Sequence, residues 1–447
     1  MKNESENGVV YKISELPDDV LVAIISRLTW QEAVVTSILS TRWRHLYTYI
    51  TRLSYSTRHP SEQSKDKYVQ QLLEKEFPKH MKEIYGFLAS NRSCRFLQVF
   101  KVHIPCLKGA NIHTWLPLVL EKEVENIDIR MIYHTKAMPG YYNFPLRTLM
   151  KRKCGGLGSF EGLKSLRQLS LHSLHVDDRD VEIFISNCTA LEHLSIVGSY
   201  RLKKVSLVGH RKLMRLEISS SRKVVSIEVR DMIKLVSLAC CKLQRKYSLH
   251  LDNVPGLVEF NSSDQFYLLG RVFLGFSPSN LDKLVRISVD STDYEGMCFK
   301  EDPPIFSNLK HLNLQMMCVH GGRHAEYYFP VFWNCPSLQK LEIKQFVWRG
   351  NEVFDETDVK LLFDLFKKVG STGAPRRKHL KEVTLSGFIG CIPELYFSRL
   401  LMIEAVVLEK LFVQLCDKTP EIRQSAAALA REHFREITPP SVHLVIM

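Results

Sequence analysis

The sequence lacks the segments that would place a protein in or across a membrane. No apolar run reaches the roughly 18–20 residues needed to span a bilayer. The first residues, MKNESENGVVYK, are polar and contain none of the apolar core of a secretory signal. We therefore expect a protein of the nucleus, the cytoplasm or both.

Cysteine is present but is not arranged in pairs. The chain has 11 cysteines, an odd number, and no CxxC spacing. Cys188, Cys240, Cys318 and Cys335 lie beside apolar stretches, where a free cysteine commonly packs as a small apolar side chain. We expect reduced thiols and no zinc site.

Motifs for catalysis and cofactor binding are also lacking. The sequence has no GxSxG and no HExxH, and GGLGSF at 155–160 lacks the lysine of a phosphate-binding loop. The 17 histidines are dispersed, and His172 and His175 have no third ligand at metal-site spacing. We expect no catalytic residue, no cofactor and no metal.

The formal net charge of +13 could suit an acidic partner or nucleic acid. The tightest basic clusters, 151–153 and 376–378, are not interleaved with the aromatic residues that stack on bases. Nucleic-acid binding is therefore not expected. With 45% hydrophobic and 24% charged residues, the 447-residue chain has the composition of a globular protein with two or three domains or of a repetitive array.

Residues 13–46 read as three short helices. Pro17 suits a helix start, where its missing N–H is unneeded, and apolar residues then recur at helical spacing. Thr29 and Glu32 form a capping-box pattern, which predicts a second helix from about Trp30. Ser40 can cap the third helix.

Three helices of this length form too small a core for all of their apolar side chains. The surplus surface should be covered by another protein or by the following domain. The apolar residues concerned are Leu16, Leu21, Ile25, Val35, Leu39 and Trp43.

A repeat begins after strand-like stretches at 94–104, 124–132 and 146–154. Its signature, LxxLxL, recurs from Leu166, Leu191, Leu213, Leu284, Leu309, Leu338 and Leu380. A period in the twenties is typical of leucine-rich repeats, in which each unit adds one strand to a continuous core. A helix at 180–188 fits the ordinary repeat, and irregular stretches at 261–280, 290–304 and 318–333 are predicted loops.

The middle of the array has half this period. Leu202, Leu213, Val224 and Leu235 each begin a similar motif eleven residues apart, which leaves no room for a helix between strands. We predict coils of strand, turn, strand and turn there.

The leucines account for the fold, and the polar residues between them account for recognition. Repeat arrays bind partners along the concave strand surface. The candidate target-binding residues are Arg167, Glu192, His193, Arg215, Glu217, Lys310 and Gln339, with Gln168, His311 and Lys340 as neighbours.

Residues 16–46, LPDDVLVAIISRLTWQEAVVTSILSTRWRHL, resemble an F-box of the plant F-box proteins with leucine-rich repeats. The resemblance implies binding to a Skp adaptor, which links such proteins to a cullin-type ubiquitin ligase. The adaptor-binding residues it implies are Leu16, Pro17, Leu21, Ile25, Leu28, Ser37, Leu39 and Trp43.

The carboxy-terminal segment, 379–415, resembles the FBD region of the same plant proteins. Physically it reads as a strand, a glycine-containing turn, a helix at about 393–405 and a further strand. A helix at 421–434 and a short final strand follow. These elements should close the open end of the array.

The expected fold is therefore α/β: a three-helix F-box followed by a leucine-rich-repeat solenoid with parallel strands on its concave face and a mixed helix and strand convex face. The predicted segments are 1–10 as a tail, 11–50 as the F-box, 51–92 as a linker and helical cap, 93–378 as the solenoid and 379–447 as the FBD region and cap.

The expected function is that of a non-catalytic substrate-recognition subunit of a Skp–cullin–F-box ligase. Two alternatives remain open. The chain is a repeat-based binding protein acting outside a ligase, or it is a small-molecule receptor, which would require a deep pocket lined by basic residues on the concave face.

Overall fold

A computed structural model describes the chain in separate segments, which include parts of the predicted F-box, solenoid and FBD region. The described residues are 13–28, 30–46, 49–56, 81–82, 84–89, 95–105, 112–132, 143–144, 146, 161–244, 247–263, 276, 278–291, 305–318, 332, 334–347, 378–416 and 419–447. The chain divides into two compact units, residues 1–201 and 202–447.

The first unit begins with the three predicted helices. They are α1 (Asp18–Ile25), α2 (Trp30–Val35) and α3 (Trp43–Leu46), and short 3₁₀ turns lie at Ile13–Glu15 and Thr36–Ile38. The second helix starts at Trp30, as predicted, whereas Thr29 of the capping-box pattern lies outside the described residues. Ser40 acts as the predicted cap of α3, because its Oγ accepts a hydrogen bond from the Trp43 N–H at 3.3 Å.

Among its described residues the first unit also has five parallel strands, in the order β1-β2-β3-β4-β5. Between them lie a helical stretch at 84–89 and helices α4 (Ile112–Leu120), α5 (Glu161–Lys164) and α6 (Asp178–Asn187). The strands are β1 (Arg52–Ser56), β2 (Phe96–Pro105), β3 (Glu123–Ile132), β4 (Gln168–His172) and β5 (His193–Val197).

The assignment of residues 51–92 to a linker and helices was wrong at its start. Residues 52–56 form β1, which pairs in parallel with β2 through Arg52 and Val99. Leu53 and Tyr55 are buried while their neighbours are exposed, the alternation of a half-buried strand. The sheet therefore begins before residue 93. The predicted strand at 146–154 lies outside the described residues apart from its first residue.

The second unit contains two sets of parallel strands. One sheet has the order β7-β9-β11-β12-β13-β14-β15-β16-β17, and a second has the order β10-β8-β6. The strands are β6 (Lys204–Val208), β7 (Arg215–Ser219), β8 (Ser226–Arg230), β9 (Ser237–Cys241), β10 (Ser248–Asp252), β11 (Glu259–Ser262), β12 (Arg286–Ser291), β13 (His311–Cys318), β14 (Lys340–Val347), β15 (Glu382–Phe388), β16 (Lys410–Leu415) and β17 (His443–Ile446). The helices are α7 (Pro278–Leu281), α8 (Ile392–Glu404) and α9 (Pro420–Ile437).

The eleven-residue spacing produces the predicted coils. Successive strands from β6 to β11 alternate between the two sheets, so that each coil contributes one strand to each. The ordinary repeat has a helix in place of the second strand, as α6 shows between β4 and β5. The interiors of the predicted loops at 261–280, 290–304 and 318–333 lie outside the described residues.

A single left-handed residue ends each strand in this part of the chain. These residues directly follow β4 to β10 and have φ between 48° and 75°: Ser173, Gly198, Gly209, Ser220, Asp231, Lys242 and Asn253. The N–H of Ser220 donates to the Cys241 carbonyl at 2.7 Å, and that of Asp231 donates to the Asp252 carbonyl at 3.1 Å. The turn thus connects each coil to the next one in its own sheet.

The repeat leucines form the buried core, as predicted. Leu216, Leu238 and Phe260 lie in register on neighbouring strands and are at most 1% exposed. Cys188, Cys240 and Cys335 are buried and form no disulfide bond, and burial raises the pKa of Cys188 to about 12. These cysteines therefore serve as apolar core residues; the side chain of Cys318 lies outside the described residues.

The carboxy-terminal region follows the predicted order of strand, helix, strand, helix and strand. A buried carboxylate secures the turn between β15 and α8: Glu394 Oε2 accepts hydrogen bonds from the N–H groups of Ile389, Gly390 and Cys391 at 2.7–3.0 Å. Burial raises the pKa of Glu394 to about 7, although these three N–H groups lower it.

Replacing Gly256 by alanine should destabilise the second unit. A Cβ at this position would lie 2.9 Å from the carbonyl oxygen of Ile233 and 3.1 Å from that of Leu235, both backbone atoms of the preceding coil. We expect a loss of about 1–3 kcal/mol, the usual cost of overpacking. Gly86→Ala is the control, because a Cβ there meets nothing within 4 Å. Equal thermal midpoints by circular dichroism for the two variants would contradict the close packing of these coils.

The free energy of unfolding should fall as pH rises from about 4.5 to about 7. With a native pKa of about 7 for Glu394 and an ordinary value of 4.5 in the unfolded chain, the native state binds the extra proton in this window. The contribution is at most about 3 kcal/mol. Glu394→Gln should flatten this part of a urea-unfolding pH profile. Superimposable profiles for the two proteins would show that the carboxylate titrates normally.

Candidate functional site

Helix α1 presents two apolar stripes, and only one of them is buried. Leu21 and Ile25 are 0% exposed and pack inside the first unit. Large apolar side chains at the neighbouring helical positions are 36–39% exposed. Because these are four residues apart, they lie along one side of α1 and its flanks. This exposed stripe consists of Leu16, Val20, Ile24 and Leu28.

A second group of exposed apolar side chains follows α2. Ile38 is 80% exposed, Leu39 is 61% exposed and Val35 is 59% exposed. Together with the stripe on α1, they are the surplus apolar surface that the short helices were expected to leave. Surfaces of this kind on a folded protein mark interaction sites.

The start of α1 is tied to the start of α3. Arg42 Nε donates to Asp18 Oδ1 at 2.7 Å, and Arg42 Nη2 donates to the carbonyl oxygen of Leu16 at 2.6 Å. Asp18 also lies in the first turn of α1, where the helix dipole favours a negative charge. One guanidinium therefore fixes the segment that carries Leu16 and Pro17.

The predicted adaptor-binding residues divide into surface and core. Leu16, Pro17, Leu28 and Leu39 are exposed, and Ser37 is half-buried. Leu21, Ile25 and Trp43 were also predicted to contact the adaptor, but they are at most 2% exposed. They lie beneath this surface and support it. Helical spacing identified the apolar side of α1 but could not show which edge of it faces the core.

The predicted adaptor-binding set left out four exposed apolar residues, Val20, Ile24, Val35 and Ile38. Of these, Val35 was already among the apolar residues expected to exceed the small core. The signal was present in the width of the apolar side of α1, where pairs such as Val20-Leu21 and Ile24-Ile25 are adjacent in sequence. A helix that short cannot bury both members of each pair against one neighbour.

The other candidate surface is the side of each sheet opposite the buried leucines, which we call the front face. In the second unit it has an open depression of about 390 Å³ across β11 to β14. Arg286 Nη1 lies 2.5 Å from Glu259 Oε1, and Lys340 Nζ lies 2.8 Å from both Glu342 Oε1 and Glu382 Oε1. Each cation in the depression is therefore already bound to a carboxylate.

The histidine in this depression is held neutral. Burial lowers the pKa of His311, and the positive charges of Arg286 and Lys340 lower it further, against the opposing effect of Glu342 and Glu382. The pKa of Lys340 is raised by its hydrogen bonds to the same two glutamates. The mixed charge does not match the deep basic pocket that a small-molecule receptor was expected to need.

The predicted target-binding residues lie on or just before the front-face strands. Arg167 Nη1 donates to Glu192 Oε1 at 2.8 Å, so these two side chains form an ion pair with each other. Arg215 and Glu217 share β7, and Glu217 accepts a hydrogen bond from the Ser219 hydroxyl. His193 opens β5.

Lys310 and Gln339 sit directly before β13 and β14 and are joined by a backbone hydrogen bond at 2.9 Å. They flank the depression but do not line it. The lining residues that the sequence analysis left out are Glu259, Asn261, Arg286, Ser288, Asn313 and Glu342. The period-2 rule was the available signal, because in LxxLxL the third and fifth positions face away from the core.

Among the described residues, no group of three or more histidine, cysteine, aspartate or glutamate side chains is arranged to hold a metal ion. None of the helices in the described segments is long and apolar enough to cross a membrane.

Curated proteins of Arabidopsis thaliana show partial similarity to the chain. F-box/LRR-repeat protein At3g03360 is 28% identical over 206 residues, which is 43% of this chain and 39% of that protein. FBD-associated F-box protein At5g38590 is 27% identical over 191 residues, 41% of this chain and 44% of that protein. F-box/LRR-repeat protein At1g55660 is 50% identical over 58 residues, 13% of this chain and 16% of that protein. The chain thus spans about two-fifths of the length of the first two.

A family model described as the LRR domain of At1g61320/AtMIF1 matches residues 90–431, most of the chain. This match agrees with the parallel strands and in-register leucine core, and the names of the relatives agree with the two terminal modules. The chain therefore belongs to the plant F-box proteins with leucine-rich repeats and an FBD region, with a repeat domain of the At1g61320/AtMIF1 type.

Proposed function

We propose that this chain is the substrate-recognition subunit of a Skp–cullin–F-box ubiquitin ligase. The F-box binds the Skp adaptor, the repeats bind the target protein, and the chain itself is non-catalytic. The ligase supplies the chemistry, and this subunit raises the effective concentration of the target at the transfer site. The proposal includes action in the nucleus, the cytoplasm or both.

The observation that carries the proposal is the apolar surface of the F-box. Seven large apolar side chains between residues 16 and 39 are 36–80% exposed. Exposure of that much apolar surface in a short segment is unfavourable unless a partner covers it. The Arg42–Asp18 pair holds one end of this surface in place, which reduces the ordering that binding would require.

Adaptor binding should depend on the exposed stripe of α1. We expect the full-length chain to co-purify with a plant Skp adaptor, and Val20→Glu/Ile24→Glu to reduce the affinity by more than about 30-fold, because two charges would be placed in an apolar interface. Both residues are 36–39% exposed, so the change should leave the fold intact.

The matched control is Ile403→Glu/Val406→Glu, which alters two exposed apolar residues of the second unit. This variant should bind the adaptor like the wild type. Circular dichroism checks that both double variants are folded. Failure of the wild type to bind several plant adaptors, or equal binding by the two double variants, would refute the proposed role of the F-box.

A further inference from the structure

The front face of the first unit differs in charge from that of the second. In the first unit, three rows of outward residues run in register across β1 to β5. These rows carry one carboxylate, Asp128, against a larger set of basic side chains. The basic residues are Arg52, Lys101, Arg130, His103, His172 and His193.

The corresponding rows of the second unit are balanced. Five arginines and lysines face five carboxylates on β7 to β17, and His311 and His443 also lie in these rows. The arginines and lysines are Arg215, Arg286, Lys340, Lys344 and Lys410, and the carboxylates are Glu217, Glu259, Asp290, Glu342 and Glu382. Counted without histidines, the first unit has three arginines and lysines against one carboxylate. A positive front face is therefore a property of β1 to β5 and not of the repeat architecture.

The single carboxylate in the three rows of the first unit is surrounded by basic groups. His103 Nε2 lies 2.9 Å from Asp128 Oδ2, and Lys101 Nζ lies 3.6 Å from the same atom. Burial raises the pKa of Asp128, but the hydrogen bond from His103 and the charges of His103, Lys101 and His172 outweigh it and hold the pKa below its ordinary value. Asp128 is thus ionised and offsets only part of the positive charge.

The two arginines of these rows, Arg52 and Arg130, are exposed. Arg130 forms no ion pair with any residue that the structure describes, and Arg52 donates to the neutral Gln98 Oε1 at 3.2 Å. Apart from Asp128, the acidic side chains on the described part of this face lie before the first row, among them Glu125 and Glu192. There Arg167 lies 2.8 Å from Glu192 and 3.7 Å from Glu125. The positive charge is consequently spread over all three rows, with Arg52 in the first, Lys101 in the middle and Arg130 in the third.

We propose that the front face of β1 to β5 binds a glutamate- and aspartate-rich segment of a target protein. This inference rests on the proposed function, since it assigns the chemistry of the target that the repeats capture. Five strands about 4.8 Å apart span about 19 Å, the reach of about six extended residues. None of the outward residues in the three rows is phenylalanine, tyrosine or tryptophan, so this described surface lacks the large aromatic side chains on which nucleic-acid bases most often stack.

The test measures fluorescence anisotropy of labelled hexaglutamate with the full-length chain at low ionic strength. We expect hexaglutamate to bind at least about tenfold more tightly than hexaglutamine. Lys101→Gln/Arg130→Gln should weaken binding about fivefold, the usual range for two exposed charge contacts. Lys344→Gln/Lys410→Gln makes the same charge change on the balanced front face of the second unit and should alter the affinity less than about twofold.

A second variant should change the affinity for hexaglutamate in the opposite direction. Asp128→Asn should strengthen hexaglutamate binding about threefold, because it removes the only carboxylate of the rows and releases Lys101 and His103. A gain cannot come from misfolding. Asp290→Asn, the same change on the front face of the second unit, should have no comparable effect.

Three outcomes would overturn the inference. They are equal affinities for hexaglutamate and hexaglutamine, equal losses in the two double-glutamine variants, or tighter binding of a single-stranded hexanucleotide that the Lys101→Gln/Arg130→Gln change abolishes. None of the variants touches the F-box, so adaptor co-purification should be unchanged in all of them. If the wild type binds the adaptor but not hexaglutamate, this inference alone is overturned. If the wild type binds hexaglutamate but no adaptor, the ligase assignment alone is overturned.

Discussion

The structure depends on the stacking of parallel strands in register. A single coil cannot cover its own apolar side chains, because only the coil before it and the coil after it supply the facing surface. Leu216, Leu238 and Phe260 are buried because each lies directly beside the next. The same register that aligns the buried residues also aligns the outward residues, so the rows of the front face are a direct consequence of how the core is built.

The length of each coil determines which element follows the front-face strand, and it leaves the front face unchanged. Where the leucine motifs recur every eleven residues, a second strand returns the chain, and where the spacing is longer, a helix such as α6 does so. In both cases a residue with positive φ ends the strand. Serine, aspartate, lysine and asparagine occupy five of these positions although glycine would adopt them more readily, which shows that stacking outweighs the local strain.

Much of this architecture could be predicted from the sequence, because strand and helix periodicities are set by the buried side chains. The leucine motifs, the alternating sheets of the eleven-residue coils and the carboxy-terminal elements all follow from that signal. Strand β1 was missed since its apolar residues, Leu53 and Tyr55, are too few to stand out in a polar stretch. The binding surfaces were harder to predict, because periodicity identifies an apolar side but not which of two adjacent stripes is covered. Val20 and Leu21 illustrate this limit: they are neighbours in sequence, yet one is 39% exposed and the other is fully buried.

Outward charges contribute little to the stability of such a sheet, so they can vary without altering the fold. The two front faces show the result, since Lys340 binds Glu342 and Glu382 whereas Arg130 has no carboxylate partner within the described residues. The two proposed contacts of the ligase subunit accordingly differ in physical character. Burial of apolar F-box surface gives a contact that salt does not screen, whereas a contact between exposed charges is weaker and is screened within about 8–10 Å. In the proposed ligase subunit, this division places the more durable contact in the F-box and the more readily exchanged contact in the repeats.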